Sequence, residues 1–196
     1  HGLETIAAGE PAMARALERA GVPPPRIRDP GYPTLLRTIV GQQVSVAAAA
    51  SVWARMEALL GPGAPPAPLL AADFDSLRAC GLSRQKQGYA RSLAELVVSG
   101  ALDLSALPAD DEAAIAELTK IKGIGRWSAE IYLLFAEGRP DVWPAGDLGI
   151  QGGLRKILDL PERPDEKAAR ALGDAWRPHR SAAAIFSWHC INNPAL

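Results

Sequence analysis

The sequence predicts an all-α protein. Three observations carry that prediction. Apolar residues recur three and four apart along most of the chain, the spacing that lines one face of a helix. No segment sustains the two-residue alternation of a half-buried strand. Ser, Asp, Gly and Pro fall where helices start and stop.

The elements follow in order. Residues 10–21 (EPAMARALERAG) keep apolar helical spacing and stop at Gly21. The stretch VPPPRIRDPGYP after it is a rigid, proline-rich connector. Residues 33–40 and 44–60 read as two helices parted by Gly41, Gln42 and Gln43. GPGAPPAP at 61–68 reads as a loop. Helices near 73–80 and 83–99 come next, the second with Ser83 as N-cap. Asp110 or Asp111 opens a helix to Lys120, and another runs from about Gly125 to Glu137. Beyond the linker GRPDVWPAG, helices are expected near 148–159, 164–176 and 180–192. There is no repeat of fixed period and no low-complexity tract.

The 196 residues, 48% of them hydrophobic, suffice to bury a core in one domain or two small lobes. No apolar run reaches the ~18 residues of a membrane span, and the cysteine usage fits a reducing cytoplasm, the expected location. Cys80 and Cys190 are too few for an iron–sulfur cluster and belong to no Cys-x-x-Cys pair. Their apolar helical surroundings read as sites of buried thiols. With three scattered histidines, no structural zinc site is expected. The start, His1-Gly2, lacks an initiator Met and reads as a tag or processing remnant of a longer product. A net charge of -1 argues against a protein that binds nucleic acid non-specifically over a broad basic face. It leaves room for one that grips a few phosphates through local charge and backbone amides.

The most specific motif is Leu118-Thr119-Lys120-Ile121-Lys122-Gly123-Ile124-Gly125-Arg126-Trp127-Ser128-Ala129. Leu118 and Ile121, three apart, pack inward at the end of one helix. Gly123 stops it, because glycine accepts positive φ. Ile124 plugs the hairpin into the core, and Gly125 opens the next helix. The unbonded N–H groups of that helix start form an anion site flanked by Lys122 and Arg126, and phosphate is its natural guest. The bland reading is a plain helical turn with glycine caps. A second motif is Asp141-Val142-Trp143-Pro144-Ala145-Gly146-Asp147-Leu148-Gly149-Ile150. Asp147 follows a Pro/Gly turn and precedes a helix, so it is an N-cap, a catalytic carboxylate, or both. A carboxylate at the positive end of a helix dipole suits a site where an oxocarbenium-like sugar develops charge.

The hairpin, followed 22 residues after Gly125 by Asp147 in a Pro-x-x-Asp setting, resembles the helix-hairpin-helix DNA glycosylase superfamily. Gly41-Gln42-Gln43-Val44-Ser45-Val46 and Trp176-Arg177-Pro178-His179-Arg180-Ser181 extend the match. Together they resemble its 3-methyladenine DNA glycosylase II (AlkA-like) branch, over nearly the whole chain from about residue 10. The resemblance implies two helical lobes with the active site in the cleft between them. One lobe is residues 23–140, carrying the helix-hairpin-helix at about 112–137. The other is 1–22 plus 141–196, carrying Asp147. It implies a DNA repair enzyme that flips an alkylated base of the 3-methyladenine or 7-methylguanine type out of duplex DNA, hydrolyses its N-glycosidic bond and leaves an abasic site. The partner is damaged double-stranded DNA, and the enzyme is a monomer associated with a bacterial nucleoid.

Roles carry over residue by residue. Asp147 matches the catalytic aspartate. Gly123, Ile124 and Gly125 match the phosphate-holding hairpin, with Lys122 and Arg126 beside them. The Ile121 and Gly123 carbonyls match the place where relatives hold a sodium or potassium ion, and no other cofactor is implied. Gln43, with Gln42 beside it, falls where the family places a wedge that fills the gap left by the flipped nucleotide; the plain alternative is a loop or cap residue. Arg84 and Lys86 face the DNA backbone or form a solvated helix face. Trp127 stands where relatives with lyase activity carry a nucleophilic lysine, so no Schiff base forms and plain hydrolysis is expected. Its ring either stacks on a methylated base or packs in the core. Ile131, Tyr132 and His179 complete the implied base pocket, Tyr132 at its edge or in the core. Trp53, Trp176 and Trp188 read as packing residues, with a place near the pocket the alternative for Trp176. The chain departs from longer AlkA-like enzymes in showing no β-rich N-terminal domain, and Ile131 and His179 stand where relatives often have aromatic residues. Two other readings stay open: a DNA-binding module that recognises lesions without cutting, and a glycosylase for another damaged base.

Overall fold

A computed structural model describes residues 1–196. It contains twelve α-helices, one short 3-10 turn and no strand, as the sequence predicts. The chain divides into two compact units, residues 28–132 and residues 1–27 with 133–196.

The 28–132 unit holds α3 (Tyr32–Gly41), α4 (Val46–Leu60), α5 (Pro66–Ala71), α6 (Phe74–Ala79), α7 (Arg84–Val98), α8 (Asp111–Leu118) and most of α9 (Arg126–Phe135). Local caps start most of these helices. Ser45, Asp73, Ser83 and Asp110 each accept a backbone N–H from the first turn of the helix they precede. Leu35, Leu36, Ile39, Met56, Leu77 and Leu93 are wholly buried and form the core. The helix α5 departs from the expected loop at 61–68. Its prolines at 65, 66 and 68 all lie at the N-cap or in the first turn, where no backbone N–H is needed. Leu69 then buries against α7.

The other unit holds α1 (Gly2–Gly9), α2 (Pro11–Ala20), the end of α9, α10 (Leu148–Ile157), α11 (Glu166–Gly173), the 3-10 turn Asp174–Trp176 and α12 (Arg180–Ile191). The first helix was not expected; only Leu3 and Ile6 of its eight residues are buried, too faint a stripe to read alone. The division falls after Tyr132 rather than at 140. Phe135 belongs with the second unit because its ring stacks on Trp188 of α12, centroids 5.6 Å apart. The tightest packing here is α10 on α12. Gly149, Gly152 and Gly153 face α12, and a methyl group on Gly153 would collide with the Ser187 backbone. Three absent side chains let the two backbones approach closely.

Candidate functional site

The hairpin between α8 and α9 folds as its sequence requires. The N–H groups of Thr119, Lys120 and Ile121 bond back to Ile115, Glu117 and Leu118, and Ile124 N–H bonds to Ile121. Ile121 and Ile124 are buried, pinning both arms. Gly123 has φ +84°. The Lys122 N–H donates to Ser92 Oγ at 3.1 Å, so that amide is used internally. The N–H groups of Gly123 and Gly125 have no acceptor within the chain. They lie in the hairpin just before α9 and remain able to meet an anion.

Two of the side chains expected to meet DNA in this region are engaged within the chain. Arg126 is ion-paired on both sides. Both terminal nitrogens of its guanidinium donate to Glu112, and Nε donates to Glu130 at 2.9 Å. The Glu112 hydrogen bonds, with both carboxylates' charge, raise its proton affinity above that of an ordinary arginine. Arg126 therefore ties the start of α8 to α9, and Lys122, exposed, is the basic side chain left beside the hairpin. Gln42 is held against the hairpin. Its Nε2 donates to the Gly123 carbonyl at 2.8 Å, bracing the hairpin. Gln43 differs: it is exposed and sits at φ +55°, a left-handed conformation that costs a non-glycine residue about 1 kcal/mol. Lys86 caps α3 by donating to the Val40 carbonyl at 2.7 Å, and burial lowers its amine's proton affinity. Arg84 lies over the Phe74 ring.

Trp127, in the first turn of α9, is 50% exposed. That fits a stacking surface better than a core position. Ile131, one turn on, is half-buried. Tyr132 is buried, and its hydroxyl accepts the Gly31 N–H at 2.7 Å. This makes it a brace for the connector, in line with the core position open to it from the sequence.

Asp147 closes a turn in which its N–H bonds to Pro144 O at 2.9 Å. Its Oδ1 accepts the Ile150 N–H at 2.9 Å, the N-cap bond of α10. Gln151 supports the turn from below by donating to the Ala145 carbonyl. The run from Trp176 to Ser181 anchors the segment leading to Asp147. Arg180 Nε and Nη2 each donate to Asp141 at 2.8 Å, and Arg177 adds a third guanidinium bond at 3.0 Å. Ser181 Oγ accepts from Val142 N–H and donates to Arg139 O. Burial alone would raise the Asp141 carboxyl. The Arg180 hydrogen bonds and the charges of Arg180 and Arg177 outweigh it and hold the group below the usual carboxylate range. His179 packs beside Gly2 at the start of α1, within about 3.4 Å of where a β-carbon there would lie.

One contact to Asp147 escaped the sequence. Trp188, read there as packing, donates its indole N–H to Asp147 Oδ1 at 2.7 Å. The partners are 41 residues apart, and nothing local marks the pair. The cysteines are buried as expected, and burial pushes the Cys190 thiol up to about 12.

Residues 36–178 match the model of the HhH-GPD superfamily of base excision DNA repair proteins. The chain belongs to that superfamily. Among similar proteins, DNA-3-methyladenine glycosylase 1 of Schizosaccharomyces pombe is 36% identical over 161 residues, 80% of this chain and 71% of that protein. DNA-3-methyladenine glycosylase 2 of Escherichia coli is 30% identical over 188 residues, 89% of this chain but 64% of that one. A crystal structure of DNA-3-methyladenine glycosidase from Bacillus halodurans superposes with TM-score 0.89 at 34% identity, covering 97% of this chain and 89% of that one. Mag1, a 3-methyladenine DNA glycosylase of Schizosaccharomyces pombe, in complex with abasic DNA gives 0.80 at 31% identity, covering 95% and 94%. The HhH-GPD match includes the hairpin, Asp147 and the Trp176–Arg177–Pro178 run.

Proposed function

We propose that this chain is a monofunctional DNA glycosylase that hydrolyses the N-glycosidic bond of alkylated bases in duplex DNA and leaves an abasic site. The observation that carries the reading is the setting of Asp147. Its carboxylate stands at the positive end of α10, held by Ile150 N–H and the Trp188 indole, within a chain of the base excision repair superfamily. The names of its relatives support alkylated bases as substrates.

In this reading the C1′–N bond breaks and its electron pair leaves with the base. Positive charge grows on the deoxyribose, and the Asp147 carboxylate stabilises it. Water then adds to C1′ and releases a proton. A base such as 3-methyladenine already carries positive charge in the nucleotide, so its departure needs little help from an acid. Gly123 and Gly125 N–H groups with Lys122 hold a phosphate. Gln43 fills the vacated stack while Trp127 receives the base. With tryptophan at 127, that position offers no amine for a Schiff base, so the strand stays uncut. A monovalent cation belongs to the same proposal. The Ile121 and Gly123 carbonyl oxygens each accept one hydrogen bond and keep a second lone pair for such an ion, which would brace the hairpin.

The test is base release from methylated duplex DNA by the protein and by Asp147→Asn. The expected result is free alkylated base, abasic sites without strand cleavage, and a folded variant slowed at least ~100-fold. If neither protein releases a base from alkylated, deaminated or oxidised duplex yet both bind it, a non-catalytic lesion-binding module is the better account. Release confined to deaminated or oxidised duplex would instead move the assignment to another damaged base.

A further inference from the structure

We infer that Trp188 is a positioning residue for the Asp147 carboxylate, and that Gly149 is what lets it serve as one. The inference rests on the reading of Asp147 as the catalytic group. It starts from a crowded point. Trp188 Nε1–H donates to Asp147 Oδ1 at 2.7 Å, and the same oxygen accepts Ile150 N–H at 2.9 Å. The backbone amide comes with the helix and would be present at any N-cap. The indole does not. It arrives from α12 and is an additional donor aimed at the same oxygen.

Three features hold the indole there. Phe135 stacks on it at 5.6 Å between centroids and 29° between planes, which limits tilting of the ring. Gly149 leaves the space through which it reaches Asp147. A β-carbon at 149 would lie 2.8 Å from Trp188 Cδ1, 3.0 Å from its Nε1 and 2.9 Å from Asp147 Oδ1. Gly152 and Gly153 let α12 approach α10 along the rest of the interface. A glycine costs stability inside a helix, so three in ten residues need a packing reason. At 149 the reason is this contact.

The chemistry follows. Two donors on one oxygen fix the rotation of the carboxylate about its Cβ–Cγ bond. The group is thus oriented before substrate arrives, and no reorganisation is required as charge develops beside it. An N-cap aspartate with one backbone donor would keep more torsional freedom. Trp188 touches Asp147 rather than the reacting atoms in this account, so its loss acts on the rate of the chemical step and not on DNA affinity.

The experiment compares four variants with the parent protein in single-turnover base release from methylated duplex, with binding to an abasic-site duplex measured in parallel. Trp188→Phe keeps an aromatic ring for Phe135 and removes the donor. Replacing Trp188 with benzothienylalanine, in which sulfur stands for the indole N–H, removes the donor from a ring of nearly the same shape. Both are expected to slow base release about 10- to 100-fold, as for the loss of one hydrogen bond to a charged group in the transition state. Dissociation constants should stay within about twofold. Gly149→Ala should slow release to a similar degree. Parental rates in the benzothienylalanine protein overturn the inference, whatever Trp188→Phe does, as does a slowing matched by an equal loss of affinity. Asp147→Asn separates the two levels of argument. If it is nearly inactive while the position-188 proteins are not slowed, only the Trp188 inference fails. If it releases base at the parental rate, the assignment of Asp147 fails as well.

Discussion

Gly123 meets two requirements that no other residue satisfies together. Its φ of +84° is a conformation that side chains rarely adopt, and a β-carbon there would collide with the Tyr89 ring. Gly123→Ala is therefore expected to lower stability by about 1–3 kcal/mol, the usual cost of forcing a methyl into a filled space. It should also weaken duplex binding, since the 123 and 125 amides move with the turn. Thermal unfolding and a binding isotherm on the same sample check both halves. A variant with unchanged Tm would mean that Tyr89 yields freely. The glycine's backbone role was legible, because the apolar spacing around it leaves one way to turn. Its neighbour was not. Arg126 reads as a phosphate ligand until Glu112, fourteen residues upstream, comes back to meet it. Trp188 is likewise indistinguishable from a core tryptophan until α12 is laid against α10. Residues whose partners are local can be read from sequence; residues whose partners come through tertiary packing cannot.

At the scale of elements the same distinction holds. The caps at Ser83, Asp110 and Asp147 sit where the sequence puts them, since each bonds within three residues, and Ser45 caps a helix expected to begin at 44. The helix α5 was hidden by its prolines, whose position in a first turn is visible only once the turn is drawn. The link between the Asp147 segment and α12 is a long-range one, and it makes a pH prediction. Arg180 and Arg177 hold Asp141 below its ordinary carboxylate range in the folded state. A group depressed on folding contributes stability above its unfolded value, about 3.9, and loses it as pH falls through the lower folded value. Asp141 and Arg180 are both mostly shielded from solvent, so Asp141→Asn should cost about 2 kcal/mol or more at neutral pH. The gap to the parent protein should stay constant between about pH 5 and 8 and narrow below about pH 4. Urea unfolding across that range measures it. A gap that widens on acidification would show that the ion pair is not its source.

The whole molecule carries a net charge of -1, an uncommon balance for a protein proposed to work on DNA. The proposed hairpin site resolves the tension without broad positive charge. Two backbone amides and the positive end of α9 meet a phosphate, and Lys122 supplies a cation, while Arg126 is neutralised by Glu112 and Glu130. Backbone amides release no counterions, because they carry no net charge; only cations that neutralise phosphates do. If Lys122 and one to three further side-chain cations along the duplex neutralise phosphates, the logarithm of affinity should fall against the logarithm of salt with a slope of about -2 to -4. Between 50 and 200 mM salt that is a loss of about 10- to 200-fold. Titration of an abasic-site duplex at four salt concentrations gives the slope. A steeper slope, of about -7 or beyond, would mean that a wide basic face engages the DNA and that the hairpin is a minor contact. A slope near zero would mean that no side-chain cation, Lys122 included, neutralises a phosphate, leaving the backbone amides of Gly123 and Gly125 as the contact to the strand. Lys122→Ala refines the test. It should reduce the slope by about one unit while weakening damaged and undamaged duplex alike, since a phosphate contact carries no information about the base.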